Sequence, residues 1–102
     1  MERAIAQLTE RGEGRCALSG ALTLETVPWV WQQLRSGPYL EGAVHADLEG
    51  VDDADSAGLA LVVAWRASCE AHGGRLQLRA VPRRLLALAR LTGAEALLDA
   101  AD

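Results

Sequence analysis

Between Ala57 and Trp65 the sequence reads AGLALVVAW, a run with no charge and no amide that follows a segment crowded with aspartates, Asp52, Asp53 and Asp55. At about 100° per residue, Leu59, Val62, Val63 and Arg66 mark one face of a helix, while Ala57, Leu61, Ala64 and Trp65 fall toward others. No face is polar over roughly the first two and a half turns. Such a helix is either central and covered by its neighbours, or it keeps apolar surface for a partner on an outer side that carries Ala60, Ala64 and Leu61 or Trp65. The chain has 102 residues, enough for one compact domain over residues 1–102 with a modest core. Phe is absent, so that core must be mainly aliphatic.

The flanking patterns supply the rest of an α/β order. Residues 4–9 and 15–19 are short segments separated by ERGEG, which predicts a hairpin. From Leu24 onward, Leu24, Val27, Trp31 and Leu34 recur at helical spacing, Pro28 suits a first turn, and Gly37-Pro38 ends the pattern. AVHADL, residues 43–48, is mostly apolar and predicts a central strand covered on both faces. The acidic turn and apolar helix follow, ending at Gly73-Gly74 after His72. RLQLRAV, residues 75–81, alternates through Leu76, Leu78 and Ala80 as a strand with one wet face. Pro82 opens a helix with Leu85, Leu88, Ala89 and Leu91 inward, Gly93 closes it, and AEALLDA forms a last turn or helix. The expected fold class is α/β, a small mixed sheet with helices packed on it, in the order β-β-α-β-α-β-α-(α).

No catalytic constellation stands out. His45 falls in a core strand and His72 at a helix end, neither close in sequence to Ser56. The glycines match neither a dinucleotide fingerprint nor a phosphate loop, and Asp52, Asp53 and Asp55 lack the ligand spacing of a calcium loop. Cys16 and Cys69 fit neither a disulfide framework nor a zinc site, so no metal or cofactor is expected. The net charge is −4, with all ten basic residues arginine, and an acidic chain without an aromatic and basic patch argues against nucleic acid. Acids crowd Asp47 to Asp55 while Arg75, Arg79, Arg83, Arg84 and Arg90 come later, an asymmetry that would orient a partner unless it is scattered solvated charge. MERAIAQL carries an acid at once, and no segment approaches the ~20 apolar residues of a membrane span. A reducing cytoplasm without membrane insertion is the expected location. Asp55 or Ser56 fits the N-cap of the apolar helix. A phosphate on the hydroxyl of Ser56 would be favoured by the helix dipole and opposed by the neighbouring aspartates.

DLEGVDDADSAGLALVVAW resembles the signature of STAS domains, a strand ending in Asp-Leu that leads through V-x-x-x-D-S-x-G-L into a helix. Asp47, Leu48, Val51, Asp55, Ser56, Gly58 and Leu59 occupy those positions. The resemblance extends to LSGALTLETVPWVWQQL before the motif and GGRLQLRAVPRRLLALARLTGAEALL after it. It implies a non-catalytic protein-binding domain of one of two branches. In anti-sigma factor antagonists, the serine matching Ser56 is phosphorylated by a kinase-like anti-sigma factor that the unmodified domain binds. In the MlaB branch, the domain is a small cytoplasmic subunit, peripheral to the inner membrane, of a phospholipid-transporting ABC complex that maintains outer-membrane lipid asymmetry. The segment LSGALTLETVPWVWQQLR looks more like MlaB, although that branch often has threonine where this chain has Ser56. The implied partner is an MlaF-like ATPase subunit in a complex with an inner-membrane permease. The implied contacts are Asp55, Ser56, Ala57, Gly58 and Leu59, followed by Ala60, Val63 and Ala64 from the apolar helix. Trp29, off the inward face that holds Trp31, is expected to be exposed.

Overall fold

A computed structural model describes residues 3–98. The elements are β1 (Ala6–Gly12), β2 (Arg15–Leu22), α1 (Val27–Ser36), β3 (Ala43–Ala54), α2 (Ser56–Ala71), β4 (Arg75–Arg79) and α3 (Arg83–Thr92), followed by a short 3-10 turn at Glu95–Leu98. The four strands lie in the order β1-β2-β3-β4. β1 and β2 form the expected antiparallel hairpin, while β2, β3 and β4 run parallel. The order is the one predicted. Asp99 and Ala100, the end of the predicted AEALLDA segment, lie outside the described residues.

The sheet order dictates which face is covered. The crossovers β2-α1-β3 and β3-α2-β4 step in the same direction across the sheet, and the fixed right hand of such crossovers puts both helices on one face. On that side Leu18, Leu22, Val44, Leu48 and Leu78 are buried under Val30 and Leu34 of α1, Val62 and Trp65 of α2, and Leu85 of α3. A leucine so enclosed contributes roughly 2 kcal/mol relative to an exposed one. Trp65 satisfies its indole by donating to the Tyr39 carbonyl at 2.8 Å. The opposite face carries Arg15, His45, Glu49, Arg75 and Arg79 and is wet. β3 is therefore not covered on both faces. Its burial alternates from Ala43 to Leu48, and His45 is exposed rather than in the core.

Four further expectations are corrected. β3 continues to Ala54, so Asp52 and Asp53 lie in a strand and the turn into α2 shrinks to Asp55. The extra length pairs with Ser19, Gly20, Ala21 and Leu22 of β2 through irregular register, and Gly50 gives Ser19 the room to approach. Leu24 precedes α1 and is 74% exposed, and Val30 takes the inward place beside Leu34. β4 stops at Arg79 because Ala80 adopts a positive φ of 58°, which turns the chain toward Pro82. Leu91 points to solvent from α3, 83% exposed, while Leu85 and Ala89 are buried.

Candidate functional site

The start of α2 is built by three chain segments meeting at one carboxylate. Asp55 has the extended backbone of an N-cap, and its Oδ1 accepts from the Ala57 and Gly58 amides at 2.8 and 3.3 Å. Its Oδ2 accepts from the Leu24 amide at 3.0 Å, tying the β2-α1 turn to the helix. The Asp55 amide in turn donates to the Leu22 carbonyl at 3.2 Å. Partial burial pushes the Asp55 carboxyl up, but the Leu24, Gly58 and Ala57 amides outweigh it and hold the group below the usual carboxylate range. The β2-α1 turn is itself fixed by Thr26, whose buried hydroxyl donates to the Ala21 carbonyl at 2.6 Å and accepts from the Thr23 amide at 3.0 Å.

With Asp55 as the cap, Ser56 is the exposed first residue of α2, and its hydroxyl caps nothing. Ala60 and Ala64 follow it on the outer side, exposed, with Val63 half-buried beside them and Ala57 half-buried at the base. Leu61 and Trp65 are buried, so the outer side of α2 is a strip of small residues rather than a large apolar face. Gly58 and Leu59 point inward. At Gly58 the helix comes so close to β2 that a Cβ would collide with the Leu22 carbonyl oxygen. Asp55, Ser56, Ala57, Ala60, Val63 and Ala64 are thus brought to one accessible surface, while Gly58 and Leu59 shape it from beneath. Trp29 is 48% exposed, as its spacing predicted, and Trp31 packs partly against the core. Leu24, whose spacing predicts an inward place in α1, instead lies exposed beside this surface, its amide bonded to Asp55. Pro28 near the helix start is the signal that α1 begins too late to turn Leu24 inward.

The other polar groups serve different ends. On the wet face Asp47 accepts from Arg79 at 3.0 Å and Arg11 at 3.2 Å, so the acidic and basic segments meet as cross-strand ion pairs. The Glu49 amide also donates to Asp47 and is the main reason its carboxyl sits low, opposed by partial burial and aided by both arginines. His72 ends α2, its Nδ1 lying 2.7 Å from the Ser68 carbonyl, far along the helix from Ser56. Cys16 and Cys69 are buried free thiols, and burial pushes Cys16 up to about 12. Among the described residues no group of three or more His, Cys, Asp or Glu side chains is placed to hold a metal ion. No helix among them is long and apolar enough to cross a membrane.

The family model described as "Mlab, STAS domain" matches residues 5–99. The chain is a STAS-domain protein. Its fold is similar to that of the Bacillus cell fate determinant SpoIIAA in the phosphorylated form, with a TM-score of 0.69 and 18% identity over 96% of this chain and 92% of that chain. The anti-sigma factor antagonist SpoIIAA in its unphosphorylated form gives a TM-score of 0.69 and 18% identity over 96% of this chain and 89% of that chain. The NMR structure of the protein TM1081 gives 0.60 and 18% over 91% of this chain and 78% of that chain. Identities this low show a shared STAS fold and nothing finer. No match was found among curated proteins.

Proposed function

We propose that this STAS domain is a non-catalytic accessory subunit that binds and supports the ATPase of a bacterial phospholipid-transport ABC system, one that maintains outer-membrane lipid asymmetry. The observation that carries the reading is the Ser56 end of α2. Asp55 performs the capping, which leaves an exposed hydroxyl at the head of a strip of small side chains, Ala60 and Ala64, where another protein surface can approach closely. The match to a family described by the name Mlab favours this branch. The partner is an MlaF-like ATPase held with an inner-membrane permease, and the contacts are Ser56, Ala57, Ala60, Val63 and Ala64, with Asp55, Gly58 and Leu59 supporting them. The domain then works in the cytoplasm, peripheral to the inner membrane through its complex.

A second reading is favoured by the likeness to SpoIIAA in both phosphorylated and unphosphorylated forms. On it, the chain is an anti-sigma factor antagonist controlled by phosphorylation of Ser56. The two are separated by mixing the purified chain with the ATPase subunit and, in parallel, with an anti-sigma factor kinase, and measuring complex formation and ATP hydrolysis. Binding to the ATPase with no phosphate transferred to Ser56 is expected. Binding to the kinase alone overturns the transporter reading. Ser56→Asp should weaken the complex by about tenfold or more, because a new carboxylate would be desolvated at the contact. Its thermal stability should be unchanged or slightly raised, since acids are welcome in a first helical turn.

A further inference from the structure

Leu24 is 74% exposed, yet it sits on one of the better fixed turns of the molecule. Its amide donates to Asp55, the Thr23 amide donates to Thr26 Oγ1, and the Val27 amide donates to the Thr23 carbonyl at 2.9 Å. An exposed leucine on a mobile loop loses conformational freedom when it is buried by a partner, whereas one on a fixed turn loses little. The residue tied to it, Asp55, immediately precedes Ser56. The next residue, Glu25, lines a surface groove together with Asp52 and Asp53, and Arg3 is the single cation among the described groove residues. These three carboxylates are exposed, and none has an ion-pair partner among the described residues.

We infer that Leu24 is the apolar anchor of the partner interface, that Asp55 is the positioning residue which holds it beside Ser56, and that the partner presents an apolar pocket edged by arginine or lysine. The inference rests on the ATPase reading above and adds to it a contact residue from a different element. Charge complementarity decides the chemistry of the partner surface. The leucine requires an apolar receptor, and the acidic rim formed by Glu25, Asp52 and Asp53 favours a cationic border and disfavours an anionic one. Asp55 acts indirectly, because both of its oxygens are engaged by backbone amides of its own chain.

The test is a titration of the full chain against the purified ATPase subunit at several salt concentrations. Leu24→Ala should weaken binding by about tenfold or more while leaving the melting temperature where it was, because the side chain adds little to the core. Neutralising the rim with Glu25→Gln, Asp52→Asn and Asp53→Asn together should flatten the salt dependence of association. Asp55→Asn should weaken binding in the unaltered chain and have no further effect on binding in the Leu24→Ala background, although it lowers stability in both. A purely structural role for Asp55 would weaken binding equally in the two backgrounds. Binding by the unaltered chain that survives Leu24→Ala overturns the anchor and leaves the ATPase reading intact. Failure of the unaltered chain to bind overturns the ATPase reading and this inference with it.

Discussion

Asp55 is the residue on which local structure and candidate function both depend. Its carboxylate satisfies two amides of α2 and one of the preceding turn, so replacing it with Ala removes a cap and frees the Leu24 turn at once. Asp55→Ala should cost about 1–2 kcal/mol, read by urea unfolding, and Asp55→Asn less, because Asn also accepts at an N-cap. The pH dependence has a definite sign. The Asp55 and Asp47 carboxyls are held low in the folded chain, so the stability they contribute is fully present above the unfolded value of about 4. It is lost as pH falls through their lower folded values. A stability profile below pH about 4 should be shallower for Asp55→Asn than for the unaltered chain, and identical profiles would remove Asp55 from the account. Cys16 offers a separate check: with its thiol pushed up to about 12 by burial, it should resist maleimide in the folded chain and react only on unfolding.

At the scale of elements, legibility followed the strength of the local signal. α2 was readable because its apolar run is long and Asp55 is a strong cap, and β4 because Leu76 and Leu78 alternate with arginines and Gln77. β3 runs beyond its sequence signal, since Asp52 and Asp53 suggest a turn by composition, while pairing with the end of β2 keeps them extended. α1 begins later than its periodicity predicts, since Leu24 matches the helical period, and what places it outside is the hydrogen-bonded turn at Thr23–Thr26 that periodicity cannot see. Within the candidate site the motif marks the segment at the head of α2. Helical period already separates Leu59 from the outer Ala60 and Ala64, but the inward role of Gly58 is not legible, because it depends on where β2 lies. Gly58 tests this point. By helix propensity alone Gly58→Ala should stabilise α2 by about 1 kcal/mol. Contact with the Leu22 carbonyl reverses the sign, so a net loss of about 1–3 kcal/mol is expected in thermal or urea unfolding.

Over the whole molecule, stability lies on one side of the sheet. Leu18 is fully buried at the centre of the covered face, and Leu18→Ala should cost about 2–5 kcal/mol in urea unfolding. Arg79, 59% exposed on the wet face, should cost less than about 1 kcal/mol when replaced by Gln despite its contact with Asp47. The bare face follows from two crossovers of one hand over strands taken in sequence order, which leaves no connection to cross the other side. The contact at Gly58 has a mechanical side as well. With no side chain on residue 58, the spacing of α2 and β2 at that joint is set by contact with the Leu22 carbonyl and Cβ. The head of α2, with Ser56 on it, therefore keeps a set spacing from the end of β2 and, through the pairing of Leu22 with Ala54, from the end of β3.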